Sequence, residues 1–385
     1  MRHIRTYDEI NNRIEKGEAV VVTAEEIIDI ARDEGPRRAA EHVDVVTTGT
    51  FSPMCSSGIF LNFGHADPPI RMQKITINDV PAHGGLAAVD TYLGATSASR
   101  SDPKYGGAHV IEDLLKGREV ALSATSGGTD CYPRKEINTL VDLNSINDAV
   151  MYNPRNCYQN YTVAINSTER SIKTYMGTLL PKMGNAHYST SGQLSPLLND
   201  PTFKTIGVGT RIFLCGAQGY VTWNGTQHNP SVQEVNGKKM YFGGTLSVMA
   251  NFKAMSTQYL RAAYLPGYGV SIFIGVGVPI PILSEDILKD VSISDDEIYT
   301  KVVDYGVKSR EKTVHGYVNY GQLRSGTIEL EGKEVRASPI SSYAKAREIC
   351  ETLKESIQRG EFKLQSPYER MPDKVSFNNL EVREL

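Results

Sequence analysis

The chain has 385 residues, 40% of them hydrophobic, and a formal net charge of −3. That length supports a sizeable core, in one large domain or two ordinary ones. No run of Lys or Arg is long enough for a nucleic-acid track or an anionic membrane surface. The longest apolar stretch, "VSIFIGVGVPIPIL", is interrupted by two prolines and too short to cross a bilayer.

The opening "MRHIRTYDEINNRIEKG" has no apolar core of a signal peptide. Thr6 with Glu9, and Thr23 with Glu26, form capping-box patterns that predict two short helices stopping near Gly17 and Gly35. "HVDVVTTG" and "GIFLNFG" read as strands around the loop that carries Cys55, and "QKITIND" as another. "AHVIEDLLKG" predicts a helix, and "EVALSAT" a strand running into "SGGTDCYPRK", which holds Cys131. "INTLVDL" is a predicted strand, followed by a predicted helix from Ser145 to Tyr152. Between 160 and 280 strands dominate ("YTVAIN", "SIKTYMG", "TRIFLCG", "YVTW", "VSIFIGVG") around one long predicted helix, "TLSVMANFKAMSTQYLRAAYL". "GTIELEGKEVRA" predicts a hairpin turning at Glu-Gly, and "SYAKAREICETLKESIQRG" a last helix.

The expected fold is mixed α/β, or α+β, with one large Gly-rich α/β domain. The more charged stretch 284–385, with its hairpin and helix, reads as an outer layer of that domain or as a separate cap.

Five cysteines stand at 55, 131, 157, 215 and 350, an odd number with long gaps and no C-x-x-C. This argues against a disulfide framework or a zinc knuckle and for reduced thiols in a cytoplasmic protein. No phosphate-binding loop, nucleophile elbow or zinc-binding helix motif occurs. Cys350 shares helical spacing with Ala346, Leu353 and Ile357 and reads as core; Cys215 ends an apolar strand and reads the same way. Cys157 stays ambiguous. Cys55 and Cys131 follow predicted strands in small-residue loops, where chemistry is carried on a rigid scaffold. Around Cys131, Ser126, Gly127, Gly128 and Thr129 could gather backbone N–H groups into an anion-binding concavity, with Arg134 and Lys135 nearby to favour a thiolate. The competing reading is a tight turn with Cys131 pointing inward.

"AVVVTAEEIIDIA", "VDVVTTGTFSPMCSSGIFLNFGHADPPIRM", "SGGTDCYPRKE", "NPRNCYQNY", "NAHYSTSGQLSPLLNDP" and "GVGTRIFLCGAQGYV" together resemble the homocysteine-biosynthesis family, once a domain of unknown function. "SSYAKAREICETLKESIQRGEF" is similar to that family's closing helix, so the resemblance runs nearly the whole chain. It implies L-aspartate semialdehyde sulfurtransferase activity, found in methanogenic archaea and other anaerobes, and homocysteine as product on the way to methionine. The C-terminal pair of CBS domains that some members carry is not expected in these residues.

The resemblance places the key cysteines at Cys55 and Cys131, with Cys131 in the persulfide role. It implies sulfide or another sulfur donor, and a small ferredoxin-like iron–sulfur protein as external reductant. Cys55 would then serve as resolving thiol through a Cys55–Cys131 disulfide. No cofactor is assigned to this chain itself, since ferredoxin-type cysteine spacing is missing and a cluster belongs on the partner. An alternative gathers Cys55, Cys131 and Cys157 on one iron–sulfur cluster. Another makes the chain a non-catalytic persulfide carrier, which would need no polar pocket beside Cys131. Substrate binding asks for a guanidinium, with Arg134 and Arg155 nearest the cysteine motifs. Asp130 could orient water or the amine, and His65 and His187 are the candidate general acids. Apolar strands leave room for a homo-oligomer; nucleic acid and membrane are not expected partners.

Overall fold

A computed structural model describes residues 5–378 and 380–383. The fold is mixed α/β, with eight α-helices and many strands among the described residues. Its body is a 14-stranded sheet. From one edge, Val21–Thr23, Val45–Pro53, Gly269–Pro281, Arg211–Leu214, Ala217–Asn224 and Leu246–Asn251 lie side by side. The sheet continues through Asp148–Asn156, Gly58–Asn62, Asp90–Gly94, Val80–His83, Lys74–Ile77, Val120–Thr125 and Glu136–Val141, while Leu260–Leu265 pairs separately with Gly269–Pro281. A second sheet of six strands joins Val163–Ile165 and Ala186–Tyr188 to Tyr299–Asp304, Val314–Asn319, Lys333–Pro339 and Thr327–Leu330. The strands after residue 284 therefore share a sheet with strands from the middle of the chain.

The apolar run noted in the sequence is the strand Gly269–Pro281, buried along almost its whole length. Strands covered on both faces carry such continuous apolar runs rather than alternation. Gly49 of the neighbouring strand pairs directly with Gly277. A Cβ at Gly49 would lie 2.5 Å from the Ala346 carbonyl oxygen, and one at Gly277 would lie 2.9 Å from Ile349 Cγ2. The missing side chains make a groove in which the helix Tyr343–Gln358 lies. That helix turns Ala346, Ile349, Cys350, Leu353 and Ile357 inward, as its spacing predicts.

Both predicted capping boxes form. Thr6 and Glu9 exchange backbone and side-chain bonds ahead of the helix Tyr7–Glu15. Thr23 N–H donates to Glu26 at 2.7 Å while Glu26 N–H donates to Thr23 Oγ1. A third helix, Pro36–His42, follows at once because Pro36 can open a new helix at its first position. Asp44, fully buried, is held by Arg5 and Arg13 at 2.9 and 3.1 Å and accepts from Val20 N–H.

Two predicted helices are strands instead. At Asp142, Ser145 N–H and the aspartate close a turn, and Asp148–Asn156 leaves it with alternating burial as a central strand. The stretch 245–265 splits into the strands Leu246–Asn251 and Leu260–Leu265 around a single 3-10 turn. Asn251 caps that turn by accepting from Lys253 N–H. Alanine, methionine and leucine favour a helix there by propensity, but pairing on both sides of a growing sheet decides the outcome.

Candidate active site

Cys55 lies on the loop between Val45–Pro53 and Gly58–Asn62. Three bonds fix this loop onto the strand Asp148–Asn156. Ser56 Oγ donates to Asn153 Oδ1 at 3.0 Å and to Arg155 O at 2.9 Å, and buried Asn153 Nδ2 donates to Ser57 Oγ at 2.7 Å. Ser57 N–H and hydroxyl both donate to Met54 O, tightening the turn. Cys55 Sγ then stands 3.1 Å from the hydroxyl of Ser271, itself fully buried.

The Cys55 thiol faces a cavity of about 380 Å³. Arg155, Tyr158, Tyr161, Tyr175 and Tyr268 form much of its wall, with Ser56, Ser189 and Gln227 adding polar atoms. The Arg155 side chain lies against the Tyr158 hydroxyl, and its buried Nε has no partner within the protein. Burial, and then the adjacent Cys55 sulfur, push the Tyr268 phenol up to about 12, so it keeps its proton and donates toward Cys55. Burial also raises the Tyr158, Tyr161 and Tyr175 phenols above their ordinary range. The wall therefore offers hydrogen-bond donors, one guanidinium and one thiol.

Cys131 lies elsewhere, exposed at the tip of the hairpin formed by Val120–Thr125 and Glu136–Val141. Thr129 and Tyr132 exchange backbone bonds at 2.9 and 3.1 Å, leaving Asp130 and Cys131 as the turn residues. The N–H concavity expected here is not free. Gly127 N–H donates to Gln73, and Gly128 N–H to Ser126 Oγ. Nor does Cys131 point inward. The Arg134 guanidinium donates to Pro68 O and Asp67 O at 2.9 and 2.6 Å, so it ties the hairpin to a neighbouring loop. His65 stacks on Tyr132 with ring centroids 6.1 Å apart.

Cys55 leaves one end of the strand Gly58–Asn62, while His65 and the Cys131 hairpin lie beyond its other end. Three strands separate Gly58–Asn62 from Val120–Thr125. At about 4.8 Å per strand step, the width alone is roughly 19 Å. A disulfide needs Cα atoms within about 7 Å, so the expected Cys55–Cys131 bond does not form within one chain in this conformation. The three-cysteine cluster fails for the same reason. Among the described residues, no group of three or more His, Cys, Asp or Glu side chains is placed to hold a metal ion.

The structure thus brings Cys55 and Arg155 together. It gathers Cys131, Gly127, Gly128, Asp130, Arg134 and His65 at a second place. His187 is on neither. Its ring contacts Met176 O and Asn185 Nδ2, just behind the cavity wall. Cys157 is buried beside a water-sized void lined by Thr50, Ser52 and Met54. Burial pushes the thiols of Cys157 and Cys215 up to about 12, and that of Cys350 higher still, which fits packing roles. No motif or spacing in the sequence marks the wall tyrosines. A signal was present, since the chain has 20 Tyr against 10 Phe and 1 Trp, more phenol hydroxyls than apolar packing alone asks for.

A thiol and a guanidinium share one tyrosine-walled cavity, within a mixed α/β scaffold, and the cavity has room for a small metabolite. The chain belongs to the family of homocysteine biosynthesis enzymes for sulfur incorporation, whose model matches residues 19–364. It is similar to proteins named L-aspartate semialdehyde sulfurtransferase. The one from Methanosarcina acetivorans is 52% identical over 368 residues, covering 95% of this chain and 72% of the relative. The one from Methanocaldococcus jannaschii is 51% identical over 377 residues, 94% of this chain and 72% of the relative. An uncharacterized protein of Methanothermobacter thermautotrophicus is 30% identical over 337 residues, 85% of this chain and 73% of that protein. No solved structure matches the chain. No helix among the described residues is long and apolar enough to cross a membrane.

Proposed function

We propose that the chain converts L-aspartate semialdehyde to L-homocysteine, with the carbon–sulfur bond made in the Cys55 cavity. The observation that carries this reading is that Cys55 and Arg155 line one cavity in a chain half identical to proteins of that name. Arg155, on the cavity wall, binds the α-carboxylate. The tyrosine rings face the ammonium group, and Cys55 faces the aldehyde carbon. Cys131 accepts a sulfane sulfur from the donor and holds it as a persulfide. Its exposed hairpin tip suits exchange with another protein.

Electron counting sets the partner. Aldehyde and hydrosulfide, with loss of water, reach only a thioaldehyde. The thiol needs two electrons more, so overall one aldehyde, one hydrosulfide, two electrons and three protons give one thiol and one water. Reductive cleavage of the Cys131 persulfide takes a further two electrons and a proton, and releases hydrosulfide and the Cys131 thiol. A ferredoxin-like iron–sulfur protein is the proposed electron source. Transfer as hydrosulfide also removes the need for direct contact between the two cysteines. His65 and His187 are not among the residues lining the cavity, so the general-acid role passes to the wall phenols.

The test is anaerobic turnover of L-aspartate semialdehyde with reduced ferredoxin, reading homocysteine by mass spectrometry. Cys55→Ser is expected to make no product from any sulfur source. Cys131→Ser is expected to fail with polysulfide and to work with free sulfide. Wild-type rates from Cys55→Ser would sink the proposal.

A further inference from the structure

Behind the Cys55 cavity three phenol hydroxyls stand in line. Tyr161 Oη and Tyr175 Oη are 2.7 Å apart, and Tyr175 Oη and Tyr305 Oη are 2.9 Å apart. The first two residues wall the cavity. Tyr305 does not line it and is partly exposed, with Lys312 Nζ 5.6 Å above its ring. The three rings meet edge to face at 5.7–6.3 Å, so phenylalanine would satisfy the packing at each position. The hydroxyls add what packing does not need, a hydrogen-bonded row from the cavity wall to the partly exposed Tyr305. Each can donate or accept, so the bonds can reverse direction together.

We propose that Tyr305, Tyr175 and Tyr161 form a proton wire that supplies the substrate oxygen in the Cys55 cavity. The proposal rests on the reading of that cavity as the site of aldehyde addition. When a sulfur nucleophile adds, the C–S bond forms and the carbonyl π pair moves onto oxygen. That oxygen takes a proton from an inner phenol. Tyr175 and Tyr305 pass a replacement inward, and water restores the last one. Departure of the hydroxyl as water draws a second proton along the same path. No electrons move through the wire. The inner phenols hold their protons at neutral pH, and burial makes them weaker acids, so a proton leaves only as the next hydroxyl in the row replaces it.

The test uses the full chain with Tyr305→Phe, Tyr175→Phe and the double variant, under the turnover conditions above. Each single variant is expected to lose on the order of 10²-fold in kcat, the usual scale of proton-transfer catalysis. In Tyr305→Phe, KM for the aldehyde should change less than about twofold, because Tyr305 does not line the cavity. The double variant should be no slower than the slower single, since both interrupt one path in series. The solvent deuterium effect on kcat should rise in all three. A merely structural role would instead give multiplying losses and an unchanged isotope effect, and either result overturns the wire. An active wild type with an equally active Tyr305→Phe overturns the wire alone. A wild type that turns over no aldehyde overturns both the wire and the assigned reaction.

Discussion

Arg155→Met removes the guanidinium while keeping most of the side-chain length, and its effect can be worked out from the site. Arg155 is positioned through its backbone. Its N–H donates to Asn153 Oδ1 at 2.8 Å and its carbonyl accepts from Ser56. Neither bond depends on the side chain, so the loop that carries Cys55 should survive the substitution. What is lost is a charge-assisted pair with the substrate carboxylate, together with the contact to the Tyr158 hydroxyl, which affects both aldehydes alike. Hydrogen bonds to charged groups contribute about 1.5–3 kcal/mol. At about 1.36 kcal/mol per factor of ten, a pair worth about 3 kcal/mol corresponds to roughly 10²-fold in kcat/KM. The assay compares L-aspartate semialdehyde with 3-aminopropanal, the same aldehyde without the carboxylate. Wild type should prefer the carboxylated substrate by roughly 10²-fold, and Arg155→Met should show almost no preference. Equal losses on both aldehydes would refute the assignment, because Arg155 would then be acting on the fold or on Cys55.

Two further outcomes follow from the packing and the thiols. Gly49→Ala should destabilise the protein by about 2–3 kcal/mol, since the added methyl meets a backbone oxygen that cannot swing away; urea unfolding reads the loss, and an unchanged midpoint would refute the groove. Under native conditions at pH 7.5, iodoacetamide should label Cys131 first, then Cys55, and leave Cys157, Cys215 and Cys350 until unfolding. For the two thiols near 12, fewer than about one molecule in 10⁴ is thiolate at that pH. Peptide mapping that finds Cys157 labelled early would contradict its burial.

Local signals in the sequence were readable where neighbours in the chain complete them. Thr6 with Glu9, the Glu331–Gly332 turn and the inward face of Tyr343–Gln358 each form from residues a few positions apart. Cys350 and Cys215 were legible for the same reason. The stretch 245–265 was not, because its strands are decided by partners such as Asp148–Asn156, about a hundred residues away. The site divides along the same line. Cys55 and Arg155 were visible singly through their motifs, but their convergence depends on Ser56 and Asn153 joining two distant segments. The tyrosine wall comes from residues 158, 161, 175 and 268, and no spacing in the chain announces that they meet.

The glycine groove also sets an order of events in folding. Thr48 Oγ1 donates to Val278 O across 230 positions, and Thr47 Oγ1 to Cys350 O across 303. During synthesis the strand Val45–Pro53 leaves the ribosome long before either partner exists. Its edge toward Gly269–Pro281 must then wait unpaired, which makes the nascent chain slow to mature and prone to aggregate. Production of this protein should therefore respond to chaperone supply and to slower translation.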